Sequence, residues 1–512
     1  MRRWSLSEHR GRVIWLLLGA LLIVALAGGL LFAFVSGLTP HSSPAPNQGK
    51  SALLLSKPDV DRIATVTLLT MVRTSDGKEL WRRHLSGGLA IGLSNTSDPQ
   101  LRAGTPVQIV NGIVYLAEVL DASPDRPALT TFRLTALRAD SGARVWEQQM
   151  QATTLEILGL SDGILVAQAT TGSTYVVDAL TANGYRADTG AKVWERRLAE
   201  HTGYGGSPDQ LFDGILYVGP SGSEQPPAFA ALDARTGKPL WRSTRQDMAL
   251  GRAIAAADGV VVMEGVVVGQ NPSAPAFGLQ GVREGDGALL WSHTFSPQGG
   301  FPGTLAVPAV REGAGRLYFA TNDPTQDDLE INALQISTGA LLWHRQVTSQ
   351  QVATNQRSSG ASELVLANGT LYLLYWLSAP STTAPTAGEI VVQAVRARDG
   401  VLGWRQTYRP GLREAPSFTL VDGVAASAVV TESTASEHTP LIGLGAGDGA
   451  TLWQDQRRAY NELVADGRLL VISFSLPDAE THTQLCALRP DTSTVVWCDD
   501  IQGLGGSILL GP

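Results

Sequence analysis

The sequence has no basic excess, no paired histidines and no long amphipathic stretch beyond residue 36, and each absence removes a class of protein. Net charge is −8. The first twelve residues, with Arg2, Arg3, Arg10 and Arg12 against Glu8, hold +3, which leaves −11 on the rest of the chain. So acidic a domain repels phosphate backbones, and nucleic acid is excluded as a partner. The eight histidines are scattered from His9 to His482 with no H-x-x-x-H or H-E-x-x-H pair, so a histidine metal centre has no support. No G-x-S-x-G elbow is present to expose a nucleophilic serine.

What is abundant is glycine, 55 residues among 512, while charged residues make up only 17%. Many short strands need many turns, and glycine supplies the positive φ angles that turns require. Alternating runs such as Ile113-Val114-Tyr115-Leu116 dominate after residue 36. The bulk of the chain reads as all-β, and its length suits one large repeat domain better than several ordinary ones.

The N-terminus carries a different signal. Val13 to Val35 is an uncharged apolar run of 23 residues, about 35 Å of helix and enough for the ~30 Å core of a bilayer. The arginines all precede it, which by the positive-inside rule leaves residues 1–12 as a cytoplasmic tail and 13–36 as a transmembrane signal anchor. This places the rest of the chain outside the cell membrane. Ala25-Leu26-Ala27 before Gly28 offers a cleavable signal peptide as the alternative, although the run outlasts an ordinary signal h-region. No cysteine lies in or just after the segment, so a lipoprotein anchor is excluded. A stretch rich in proline and serine, His41 to Ser51, reads as a stalk, giving a linker over 37–60 and a folded domain over 61–512.

That domain repeats. ALRADSGARVW ends at Trp146, GYRADTGAKVW at Trp194, ALDARTGKPLW at Trp241, GVREGDGALLW at Trp291, ALQISTGALLW at Trp343, AVRARDGVLGW at Trp404, GLGAGDGATLW at Trp453 and ALRPDTSTVVW at Trp497. Ten residues before each tryptophan stands Ala or Gly, and four before stands Gly, except for Ser493 in the last unit. Upstream of each unit, a turn such as Asp-Gly precedes an apolar strand, as in NGIVYLA at Asn111 and FDGILYVG at Phe212. A period near 50 residues is that of a propeller blade. Each unit is a small antiparallel sheet that buries its faces only by stacking on neighbours around an axis. The tryptophan is the stacking element, an indole burying ~150–250 Å², and the small residue ten positions earlier is expected to make room for a neighbour's ring. Eight units predict a propeller of about eight four-stranded blades. A ninth, partial copy, TSDGKELW at Trp81, and a strand-like piece from Gly505 to Gly511 are placed to close the circle together.

Ala231-Leu232-Asp233-Ala234-Arg235-Thr236-Gly237-Lys238-Pro239-Leu240-Trp241 resembles the tryptophan-docking motif of the pyrroloquinoline-quinone-type propellers, and the resemblance covers roughly residues 61 to 511. That family includes quinoprotein alcohol dehydrogenases and a propeller lipoprotein of outer-membrane barrel assembly. The dehydrogenases imply a quinone stacked between a tryptophan and a disulfide of adjacent cysteines, beside calcium. Here the two cysteines, Cys486 and Cys498, stand twelve apart, symmetric about Thr492 in the last repeat's turn. That symmetry predicts a cross-strand disulfide, and no vicinal pair remains for a quinone. No cofactor and no catalytic residue is assigned.

Other motifs weigh little. GLGAGDG from Gly443 to Gly449 mimics a phosphate loop but falls in register with the repeat turns. Asp323, Asp327, Asp328 and Glu330 read as a solvated connection, not a calcium loop. Trp376, outside the repeat register, reads as core. The expectation is therefore a membrane-anchored extracytoplasmic propeller that binds or scaffolds a protein or small ligand. A quinone-dependent dehydrogenase and a sensor ectodomain working through a partner are the alternatives.

Overall fold

The computed structural model describes residues 51–56, 68–86, 89, 107–120, 130–172, 177–202, 209–219, 228–244, 248–267, 276–295, 310–312, 315–323, 328–347, 357–378, 389–408, 418–421, 424–428, 441–455, 460–466, 469–475, 482–502 and 508–511. The expected anchor at 13–36 lies outside them. Among the described residues no helix is long and apolar enough to cross a membrane.

Their strands form nine four-stranded antiparallel sheets within a compact unit spanning Lys50–Pro512. Blade 2 shows the plan: Val107–Val110 innermost, then Ile113–Val119, Thr130–Arg138 and, outermost, Arg144–Ala152 with Trp146. Innermost strands of most successive blades contact one another, which sets them around a common axis. The second strand of a blade reads as a nearly continuous apolar run because both its faces are covered. Val114, Tyr115, Leu116 and Ala117 are all buried.

The count of eight is corrected to nine. The copy ending at Trp81 is a full blade, with strands Leu68–Arg73 and Glu79–His84. Its second strand is Ser51–Ser56, and its innermost strand, Ile508–Gly511, comes from the other end of the chain. Ser51 pairs with Gly511 and Leu54 with Ile508, so the ring closes by joining its two ends in one sheet. The same pairing moves the start of the folded domain from residue 61 to Ser51, inside the expected linker, because the closing blade needs a strand there.

Two turn types recur. The first and second strands are joined by Asx-Gly pairs with both φ positive, as in Asn111 (51°) and Gly112 (72°) or Asp213 (46°) and Gly214 (84°). This is the geometry of a type I′ hairpin, whose twist matches the strands it joins. The third and outer strands are joined by five residues, such as 139–143, in which Gly142 N–H donates to the Arg138 carbonyl at 2.8 Å. The core is correspondingly distributed. Each main apolar cluster lies between two neighbouring blades, for example Tyr115, Leu134 and Trp146 of blade 2 against Leu155, Leu165 and Tyr185 of blade 3.

Candidate binding surfaces

The repeat tryptophans define one side of the ring. Each indole N–H crosses to a backbone carbonyl of the next blade, always seven residues before that blade's own tryptophan. Trp146 donates to the Ala187 carbonyl at 2.7 Å, Trp194 to Ala234 at 2.9 Å and Trp241 to Glu284 at 2.6 Å. Trp291 donates to Ile336, Trp343 to Ala397, Trp404 to Ala446 and Trp453 to Pro490. Trp81 opens the series on Ala139, and Trp497 ends it on Thr74 of the first blade, 423 residues away. Most acceptor residues are also tied by their own N–H, as Ala139 donates to the Gly112 carbonyl at 2.9 Å, so the carbonyl is fixed before the indole arrives. A buried indole N–H with a partner avoids the desolvation penalty of an unmade bond.

The role expected of the small residue ten before the tryptophan falls to the turn glycine instead. In most blades the small residue ten before the tryptophan pairs with that same tryptophan across the sheet, as Gly281 does with Trp291, and a Cβ on Gly281 would collide with its own blade's ring. The turn glycine four before it takes the neighbour's ring instead. A Cβ on Gly237 would sit 2.6 Å from Trp194, and one on Gly142 2.8 Å from Trp81. Ring packing and positive φ (65° at both) therefore demand glycine together. Ser493 holds the same turn position at φ 52° without that freedom.

Tyrosines three residues after the glycine that opens the second strand, unassigned from sequence, complete the seat. Tyr115, Tyr217, Tyr318 and Tyr372 lie 5.9–6.3 Å from their own blade's tryptophan, ring centre to ring centre. Tyr372 adds a hydroxyl bond to the Ala446 carbonyl that Trp404 already uses. The signal was present in NGIVY, DGILY and NGTLY.

Cys486 and Cys498 face each other in register and form a disulfide with Cα atoms 4.1 Å apart. In four other blades the same pair of positions holds a buried polar residue opposite an exposed one, such as Gln280 with Ser292 or Asn332 with His344. The staple thus sits between the third and outer strands of blade 9, away from the axis. The vicinal cysteine pair that the dehydrogenase resemblance implies is not formed: the chain's two cysteines are committed to each other at the rim.

Nearer the axis, Glu156 on the innermost strand of blade 3 and Asp209 at the start of that of blade 4 form an acidic pair. Burial pushes the Glu156 carboxyl up to about 7. Asp209 is pushed up to about 8 by burial, against the Gly219 N–H bonded to it at 3.2 Å and with the Glu156 charge adding to the rise. Toward the turn ends of the same two strands a separate cleft of about 450 Å³ is lined by Gly159, Ser161, Asp162, Leu211 and Asp213. Asp323 and Asp328 face each other across a hairpin whose turn, with Asp327, lies outside the described residues. Trp376 pairs with Ile390 of the neighbouring strand, and its side chain lies outside the described residues.

The blade meander sends both short turn types to one side, the tight-turn face, and every other connection to the opposite side, the loop face. On the loop face Glu118, fully inside blade 2, accepts from Ser86 N–H at 2.7 Å, Ser86 Oγ at 2.9 Å and Arg133 Nε at 3.0 Å, clamping the end of blade 1.

The family model described as outer membrane protein assembly factor BamB matches residues 65–184 and 181–375. No curated protein matches the sequence. Among solved structures, BamB from Moraxella catarrhalis is 15% identical over 68% of this chain and 88% of its own, with a TM-score of 0.40. A europium-containing methanol dehydrogenase is 11% identical over 78% of each chain, with a TM-score of 0.38. A eukaryotic initiation factor, 10% identical, covers 90% of this chain and 98% of its own at a TM-score of 0.52, a likeness of fold. Matched over more than half its length and built of tryptophan-docked blades, the chain belongs to the family of the outer membrane protein assembly factor BamB.

Proposed function

We propose that the protein is a membrane-anchored, extracytoplasmic scaffold that holds a protein partner on the loop face of its propeller. One observation carries this reading: the ring spends its repeated residues on the tight-turn face and leaves the loop face to connections that differ from blade to blade. Binding residues concentrate on variable loops positioned by a rigid scaffold. The BamB-like family, named for assembly of outer-membrane proteins, supports a protein as the partner in kind. The run Val13–Val35 with its preceding arginines supports a single-pass anchor with the N-terminus in the cytoplasm.

Protease shaving of intact cells tests the topology, and crosslinking on cells with identification of the neighbours tests the partner. Loss of the large domain to external protease and recovery of a discrete protein neighbour are expected. A protease-protected domain refutes the exported reading. Robust dye reduction after addition of pyrroloquinoline quinone with calcium would replace the scaffold with a redox enzyme.

A further inference from the structure

We infer that the Cys486–Cys498 disulfide is a thiol-exchange site that locks the closing seam of the ring, so that a dithiol reductant loosens the contact of blade 9 with blade 1. Neighbouring blades share a second repeated bond, made by the residue two after the tryptophan to the carbonyl of the next blade's turn glycine. Arg196 Nε donates to Gly237 at 2.7 Å, Arg345 Nε to Gly400 at 3.1 Å and Gln406 Nε2 to Gly449 at 2.8 Å, and His293 Nε2 meets Gly339. In blade 9 that position holds Asp499, and the turn glycine of the next blade is Gly77. An ionised carboxylate only accepts, as a carbonyl does, so the bond cannot form there. Of the two repeated bonds, the closing seam keeps the one from Trp497 to the Thr74 carbonyl at 2.6 Å.

The disulfide stands beside that remaining bond. Cys486 pairs with Cys498 next to the pairing of Ala487 with Trp497, so the staple fastens to the third strand the outermost strand that carries the docking indole. Cys486 is fully buried, whereas Cys498 is exposed on the outermost strand, so an incoming thiolate reaches the Cys498 sulfur first. Attack there joins the reductant's sulfur to Cys498 Sγ and breaks the protein disulfide, and Cys486 Sγ leaves with the electron pair and takes a proton. The reductant's second thiol then attacks the mixed disulfide and frees Cys498 as a thiol. The reductant departs as its own disulfide, oxidised by the two electrons that the cysteines gain. The outermost strand is then held by its ladder and by the bond from Gln484 to Asp500 at 2.9 Å. Near the axis the pairing of Ser51 with Gly511 and Leu54 with Ile508 stays intact, so it is the outer half of the seam that loosens.

Amide-resolved hydrogen exchange of the purified full chain, with and without dithiothreitol, tests the lock. The chain has no other cysteine, so the reductant acts nowhere else. Exchange about tenfold faster or more is expected on reduction in Val495–Gln502 and at the Gly77 amide of blade 1, which bonds the Arg73 carbonyl, with Leu341–Gln346 and Leu402–Tyr408 unchanged. The Cys486→Ser, Cys498→Ser double variant should match the reduced chain and ignore dithiothreitol. Asp499→Gln, which supplies the donor that Gln406 provides in blade 7, should cut the response of Gly77 to reduction at least threefold. Limiting cysteamine followed by acid should leave its adduct on Cys498. Unchanged exchange on reduction overturns the inference. So does faster exchange confined to Val495–Gln502, which leaves a staple within one blade, or spread equally over all blades, which is loss of global stability. A Gly77 response that Asp499→Gln does not alter, or an adduct confined to Cys486, overturns it as well.

Discussion

The two faces of this ring are built from one chain by opposite rules. On the tight-turn face, the connections between third and outer strands are five residues long in eight blades and six in the ninth, and they hold the indole acceptors and the turn glycines. On the loop face, successive blades are linked by anything from one residue, Thr153, to the twenty-two of 85–106. The difference separates two tasks. Closing a ring of nine sheets requires the same contact nine times, whereas recognition requires surfaces that differ.

Removing a tryptophan should break the uniform face most severely. Trp241→Ala deletes a buried indole, its bond to Glu284 and its contact with the Gly287 turn, and is expected to cost about 3–5 kcal/mol. Denaturant unfolding reads this, and a neutral effect would contradict the docking account. Next comes the loop-face clamp. Glu118→Ala leaves Arg133 and Ser86 without their acceptor and is expected to cost on the order of 3 kcal/mol. If both substitutions prove equally damaging in blades other than their own, the division between faces fails.

The acidic pair near the axis gives a smaller, pH-dependent effect. Carboxyls whose folded values lie at about 7 and about 8 bind protons more tightly in the native state than when unfolded. Stability therefore falls as pH rises from about 4 to about 8, and acidification across that window stabilises. Thermal melts should show this slope, and Asp209→Asn should flatten it while raising stability at pH 8. Smallest is Ser493→Gly. It relieves a non-glycine residue at φ 52° and should stabilise by about 1 kcal/mol, with no comparable gain from glycine at exposed Gln151.

Much of the uniform face was legible in the sequence, because a contact made nine times leaves a period that can be aligned on Trp146 through Trp497. The cross-strand disulfide was legible from the symmetry of Cys486 and Cys498 about a turn. The closing blade, that of Trp81, was harder: its unit has Met71 where others have Ala or Gly, and its innermost strand lies more than 400 residues from its partner. The small residue ten before each tryptophan was assigned to a neighbour's ring, which the turn glycine takes instead, because sequence spacing does not say which sheet a side chain meets. The acidic pair left no periodic trace. Glu156 and Asp209 belong to different blades and occur once.

The most direct test of the scaffold reading is site-specific photocrosslinking in living cells, from Gln151 and Gln346 on the loop side and from Ser141 and Ala340 on the turn side. The account predicts discrete protein adducts from the loop-side positions and none from the turn side. The same protein captured only from Ser141 and Ala340 would contradict it.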